Sequence, residues 1–245
     1  MFKLKKILPA FFAVLVLAYM CTVLAFTAGN GKETVCNQLN ITMVDSAKIR
    51  LISSREIARI LAGNNLNPVG KTYKHIETES IENLLRRNPV IKDVECYKTP
   101  AGVLQLRVVQ RSPKFRVMTE GENYYVDTER FIMPVSTSYA AYIPVVSGQV
   151  TKTRAAGDLF DFITFLEKNP FWNAQIEQIY ITYDRNIELV PRIGDSLIRL
   201  GSLDNYKVKL NKLEKLYAEV FCEIGWNRYK TIDLRYKNQV VCTRK

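Results

Sequence analysis

The sequence is short of histidine. His75 is the single one among 245 residues, and it sits in a breaker-rich loop, NNLNPVGKTYKHI (64–76). Triad chemistry on Ser or Cys and most zinc sites draw on histidine, so both lose their usual base or ligand. Cysteine is scarce too. The five are Cys21, Cys36, Cys96, Cys222 and Cys242, and none stands in a C-x-x-C pair, which removes zinc knuckles and thioredoxin-like redox motifs. Their spacing selects no disulfide. Cys96 and Cys242 lie in strand-like runs, where a free thiol serves as a small hydrophobe. Gly70-Lys71-Thr72 has the end of a phosphate-binding loop, but the required glycine five residues earlier is Asn65. The carboxylates (Glu77, Glu79, Asp158, Asp161, Asp184, Glu188) are scattered, with no pair marking a glycosidase. Trp172 and Trp226 are the only tryptophans, each beside a helix end. There is no internal repeat and no low-complexity tract. The chain reads as non-enzymatic, with no catalytic, cofactor or metal site expected.

What is present starts with charge. Thirty-five Lys+Arg against 24 Asp+Glu give +11, a balance that attracts anionic partners or keeps a surface soluble. The N-terminus is more specific. MFKLKK (1–6) carries three lysines and no acid, and residues 7–28 carry no charged side chain. As a helix, 22 residues would span roughly 33 Å, against a hydrocarbon core of about 30 Å. The run exceeds the usual signal-peptide core, and Phe26 spoils an A-x-A site ending at Ala28. The expectation is a retained single-pass anchor, with residues 1–6 cytoplasmic and the chain outside the inner membrane from a linker at 29–37 onward. Basic–aromatic clusters at KTYK (71–74) and NRYK (227–230) would suit nucleic acid. That topology places them in the other compartment, so no nucleic-acid partner is expected.

The outer part reads as α+β in two blocks. QLNITMVD (38–45) alternates like a strand, with Leu39, Ile41 and Met43 on one face. Ser53 and Glu56 have capping-box spacing before IARILAG, and Gly63 is placed to end that helix. Thr78 can cap ESIENLLRRN, with Ile81, Leu84 and Leu85 as its stripe. VIKDVECYK and GVLQLRVVQR flank a TPAG turn. The first block is therefore β-α-α-β-β over 38–111. The second, 112–245, begins with strand candidates KFRVMT, NYYVD, RFIMPVS and AYIPVVSG. A helix at 156–170 follows, closed by Pro170, then a three-stranded meander, a long helix at 203–225 and two closing strands. Lys207, Lys209, Lys212 and Lys215 line the long helix as a solvated face, or one meeting lipid headgroups or an acidic partner.

These residues resemble the FtsQ/DivIB family of bacterial cell-division proteins over nearly the whole chain. IENLLRRNPVIKDVECYKTPAGVLQLRVVQRSPKFRV is similar to that family's helix, its "NP-V-x-x-V" strand start and its "V-x-E-R-x-P" exit, with Gln110 in place of the usual Glu. YYVDTERFIMP resembles "Y-x-V-D-x-x-G-x-x-F", with the glycine replaced around Glu129-Arg130. IRLGSLDNYKVKLNKL resembles the strand-to-helix step with Gly201 in the turn, and TIDLRY the closing "V-D-L-R-Y" strand. The resemblance implies a POTRA domain over the first block. It also implies a scaffold of the division machinery at the septum. The implied partners are FtsB and FtsL, single-pass proteins with coiled-coil outer segments and a strand-forming tail. It further implies other division proteins bound through the POTRA domain, and a partner docked along the sheet edge near the C-terminus. Two other classes are a POTRA-bearing transport component and a periplasmic binder of cell-wall glycan.

The chain ends on QVVCT (239–243), two residues from its last residue. An open edge strand is a liability unless it is used. Strand addition would use it, with main-chain bonds giving affinity and alternate side chains specificity. Val240 and Cys242 should point one way, Val241 and Thr243 the other. The expected partner-binding residues are Arg235, Tyr236, Gln239, Val240, Val241, Cys242 and Thr243, with Tyr236 as an amphipathic anchor.

Overall fold

The computed structural model describes residues 14–24, 34–44, 50–136, 141–221, 223 and 225–245. Of the apolar run at 7–28, only 14–24 is described, as helix α1; the rest of the expected span lies outside the described residues. No helix among the described residues is long and apolar enough to cross a membrane. The chain divides into two compact units, Met1–Gln110 and Arg111–Lys245.

Unit 1 holds β1 (Gln38–Met43), α2 (Ser54–Gly63), α3 (Thr78–Arg86), β2 (Ile91–Lys98) and β3 (Val103–Gln110). The sheet order is β1-β3-β2, β1 parallel and β2 antiparallel to the central β3. The capping box forms as the spacing requires: Glu56 N–H donates to Ser53 Oγ and Ser53 N–H to Glu56 Oε2, at 3.2 and 3.0 Å. The Ser53 N–H and the Ser53 hydroxyl, both donating to Glu56 Oε2, hold the Glu56 carboxyl below its ordinary pKa. Gly63 does not supply the left-handed end of α2. Asn65 does, at φ 59°, with its amide bonded to Ala62 O and that of Leu66 to Leu61 O; asparagine tolerates this conformation. Nor does Thr78 cap α3. Glu77 is the cap residue, its backbone extended and its side chain turned to Ser80. Ile57, Leu61, Ile81 and Leu85 of the helices are buried, as are Val94, Leu104, Leu106 and Val108 of the sheet. Buried Gln110, the departure at the strand exit, accepts from the Ile52 amide at 3.0 Å.

Unit 2 is one nine-stranded mixed sheet with helices. Its elements are β4 (Pro113–Met118), β5 (Asn123–Asp127), β6 (Ile132–Pro134), β7 (Val145–Gly148), α4 (Lys152–Ala156), α5 (Asp158–Lys168) and α6 (Pro170–Gln175). They continue with β8 (Ile176–Ile181), β9 (Ile187–Pro191), β10 (Leu197–Gly201), α7 (Tyr206–Leu216), β11 (Tyr229–Asp233) and β12 (Val241–Arg244). The order is β12-β11-β10-β9-β8-β7-β4-β5-β6. The β8-β9-β10 meander is antiparallel; β4–β7, β7–β8 and β10–β11 are parallel, each of the last two bridged by helices. Inward residues of the strands, such as Phe115, Ile179, Leu189, Ile198 and Ile232, close one core with Leu159, Phe162 and Ile163 of α5 and Leu210 and Leu213 of α7.

Three boundaries differ from expectation. Pro170 ends α5 and also starts α6, since a proline at the first helical position loses no bond. The long helix starts at Tyr206, after left-handed Asn205, rather than at 203. It widens into a π turn at Tyr217–Phe221, where the aromatic rings of Tyr217, Phe221 and Trp226 pack together. The glycine missing from the β5–β6 turn is Arg130, which takes φ 67° itself. Its side chain offsets that strain. The guanidinium donates to Ala156 O at 2.8 Å and Asp161 at 2.6 Å, and lies 4.3 Å over the Phe160 ring.

Candidate functional site

A nine-stranded open sheet has two edges, and the sequence treats them differently. β6 is three residues long and ends in Pro134, so it offers little backbone to a further strand. β12 is four residues long and free of proline. It pairs antiparallel with β11: Thr231 faces Thr243, Ile232 faces Cys242, and Asp233 faces Val241. Val240 and Cys242 are half-buried against the core, while Val241 and Thr243 are exposed on the opposite face. The alternation expected from QVVCT is thus the one the fold adopts.

The backbone direction of β12 follows from its neighbour. In a ladder, the N–H and C=O of one residue point to one side, and those of the next residue to the other. Leu234 N–H donates to Arg199 O at 2.9 Å and Ser196 Oγ to Tyr229 O at 2.6 Å, so these β11 groups face β10. Lys245 N–H donates to Arg228 O. With the irregularity between Tyr229 and Thr231, Asp233, Thr231 and Arg228 face β12, and Val241, Thr243 and Lys245 face back. The N–H and C=O of Cys242 and Arg244 therefore point away from the sheet. No hydrogen-bond partner meets them among the described residues.

The corner beside this edge is charged and tightly tied. Arg235 grips Asp233 with both ends of its fork, Nε to Oδ1 at 2.9 Å and Nη2 to Oδ2 at 2.6 Å. Those bonds hold the Asp233 carboxyl below the usual carboxylate range. Gly201, at φ 77°, makes room for this arm: a Cβ there would lie 2.8 Å from Arg235 Cγ. On the sheet face without helices, Asp233 is paired with Arg199 and Arg199 with Glu188, and the last two approach to 3.4 Å. Signs alternate across three strands, the favourable cross-strand arrangement. A hollow of about 260 Å³ lies here, lined by Glu188, Arg199, Gly201 and Arg235 among others.

Behind the edge, α7 holds the connecting loops. Lys212 Nζ donates to the carbonyls of Tyr236 and Lys237 in the β11–β12 turn. Lys209 Nζ donates to Leu200 O at 3.1 Å and Ser202 O at 2.8 Å, and burial lowers its pKa. Lys207 lies over the Phe165 ring at 5.7 Å. Three of the lysines read as a solvated or lipid-facing row are therefore engaged within the unit. Tyr236 stays 47% exposed and Val241 39%; Gln239 is exposed as well. Of the seven residues named from sequence, the fold brings all to this corner, with Val240 and Cys242 turned inward and Arg235 occupied by Asp233. Asp233 and Arg199 were not singled out, and Lys212 was read only as one of the α7 lysine row, not as a clamp on the β11–β12 turn. The fork Asp-x-Arg within TIDLRY was the available signal for Asp233; the other two need the fold.

The thiols fit a structural role. Cys36, Cys96 and Cys242 are unbridged, and Cys222 lies outside the described residues. Burial, with the Glu82 carboxylate behind it, pushes the Cys96 thiol up to about 12, and burial raises Cys242. His75 Nδ1 is bonded to Thr72 Oγ1 at 2.7 Å. Among the described residues, no three His, Cys, Asp or Glu side chains converge to hold a metal.

Comparison with known proteins bears on this arrangement. Residues 112–243 match the family model for FtsQ/DivIB, C-terminal related, and residues 34–109 match that for the POTRA-like domain. Cell division protein FtsQ of Syntrophotalea carbinolica is 25% identical over 225 residues, covering 79% of this chain and 72% of that protein.

Proposed function

The chain belongs to the FtsQ/DivIB-related family, and from that premise we propose that it is a non-enzymatic scaffold of bacterial cell division. It is anchored in the cytoplasmic membrane by the apolar run at 7–28, with the rest of the chain periplasmic at the septum. Strand addition to β12 binds the outer tail of FtsB, and with it FtsL, in support of septal peptidoglycan synthesis. Unit 1, the POTRA-like part, meets other division proteins.

The observation that carries this reading is the outward row of backbone groups at Cys242 and Arg244, on an edge with no proline and, among the described residues, no side chain bonded over it. An incoming strand can bond both. Val241, Thr243 and the ring of Tyr236 are available to read its side chains. The test follows from the backbone direction. Arg244→Pro removes one outward donor and leaves the β11–β12 ladder intact. Thr243→Pro removes a ladder donor instead. With the full chain in detergent and the outer segment of FtsB as ligand, Arg244→Pro should weaken binding by roughly 10-fold or more, the worth of one or two hydrogen bonds. Its unfolding temperature should stay near that of the parent. Unaltered binding by the folded Arg244→Pro protein would remove β12 as the docking strand.

A further inference from the structure

The second sheet has a longer edge, and it is closed. β2 runs eight residues with neither proline nor glycine, the kind of edge that invites another strand. Thr99 N–H donates to Val103 O at 3.1 Å, so by alternation Thr99, Tyr97 and Glu95 face β3. Val94 and Cys96 then direct their backbone groups outward. Three of those outward groups are taken by side chains. Cys96 N–H donates to Glu82 Oε1 at 2.7 Å, Arg86 Nη2 donates to Val94 O at 2.8 Å, and Val94 N–H donates to Asp93 Oδ1 at 2.8 Å. Glu82 and Arg86 are themselves paired at 3.2 Å, one helical turn apart on α3.

The geometry explains why a helix can do this. Four residues of helix rise about 6 Å, and two residues of strand about 6.7 Å. An i,i+4 pair running beside a strand therefore meets every second residue, which is the set of groups pointing outward. The polarity is also right: the acid faces an N–H and the base a C=O. A half-exposed i,i+4 pair by itself contributes little stability.

We infer that Glu82 and Arg86 are specificity-determining residues that close the β2 edge to strand addition, the competing strand being β2 of a second copy of this chain. They stand where a paired strand would place its own carbonyl and amide. Strand-donating partners are thereby left with other edges of the molecule.

The test is a gain of association in the full chain, held in detergent. Glu82→Ala/Arg86→Ala is compared with the parent and with Glu82→Gln/Arg86→Lys, which keeps an acceptor and a donor in place. The alanine pair should speed amide exchange at Cys96 by roughly 10- to 100-fold, the factor carried by a bond to a charged group. It should also produce concentration-dependent self-association in sedimentation equilibrium, with Cys96 protected again in the associated form. The Gln/Lys pair should behave as the parent. A folded alanine pair that exposes the Cys96 amide yet remains as monomeric as the parent overturns the inference. If the alanine pair does not fold, Glu82→Ala alone is read the same way. Failure of that variant to fold would assign the pair to holding unit 1 together and would equally overturn it. None of these outcomes depends on docking at β12, so they are separable from the FtsB titration.

Discussion

β2 and β12 are both edge strands, and they are finished in opposite ways. β2 is the longer and is backed by α3, whose Glu82 and Arg86 reach over and bond its outward backbone. β12 is the shorter, and its outward groups at Cys242 and Arg244 meet no side chain among the described residues. What anchors β12 comes entirely from its inner side: Ile232 and Leu234 on β11 and beyond it, the Asp233–Arg235 fork, and Lys212 on the turn. Natural sheets blunt their edges with charge, proline or cover. One chain here supplies both an edge whose outward backbone is bonded by side chains and one whose outward backbone is not, which makes the exposure at β12 a property of that edge rather than a habit of the protein.

The hardest way to break the contrast is to remove the support beneath β12. Ile232 is fully buried and faces Cys242 across the ladder. Ile232→Ala should cost about 2–5 kcal/mol, transfer plus cavity, and should abolish binding of the FtsB segment. Leu106, at the centre of the unit 1 sheet, is buried as completely. Leu106→Ala should cost a similar amount and leave that binding unchanged. Thermal unfolding gives the first quantity and titration the second. Equal loss of binding in both variants would dissolve the distinction between the edges.

How much of this difference was legible in the sequence depends on the range of the signal. Local signals read through. The capping box at Ser53 and Glu56 is a three-residue pattern, and it forms as written. The facing of Val240 and Cys242 needs only period two. Signals with two physical solutions misled: Asn65 supplied the left-handed turn that Gly63 suggested, and Pro170 opened one helix in closing another. The π turn after Leu216 was invisible, because helical periodicity alone does not register one extra residue. Backbone direction at the two edges was out of reach. At β12 it is set by pairing with β11, whose own direction is fixed by β10, and at β2 by pairing with β3. A proline at Val241, natural from the sequence alone, would have cut the inner ladder instead of the docking row. The guard over β2 was unreadable because it joins α3 to a strand whose edge position the sequence does not declare.

A smaller effect tests the fork. Asp233 is nearly buried and lies between Arg235 and Arg199. Its folded pKa is depressed by the hydrogen bonds from Arg235. The contribution it makes is therefore fully present above its unfolded pKa, about 3.9, and is lost as pH falls through the folded value. Asp233→Asn should cost about 1–2 kcal/mol at neutral pH. It should also flatten the acid limb of the stability curve below about pH 4, since the group that takes up the proton is gone. Parallel curves for parent and variant down to pH 2 would show that the fork contributes no charge-dependent stability.

The smallest effect concerns the turn. Lys212 donates to two carbonyls at 236 and 237 that lie near solvent, so water can replace it. Lys212→Met keeps the aliphatic stem against α7 and removes only the donors. The stability change should stay below about 1 kcal/mol, as for a bond exchanged with water. The consequence should appear instead in order. Amide exchange across 236–240 should quicken, while Cys96 on the guarded edge keeps its rate. Affinity for the FtsB segment should fall a few-fold, because a looser turn must be ordered on docking. Lys212→Arg, which can still reach a carbonyl, should restore both. Exchange in the turn that is unmoved by Lys212→Met would mean that β11 alone positions the docking strand, and the inner-side support of β12 would reduce to Ile232 and the Asp233 fork.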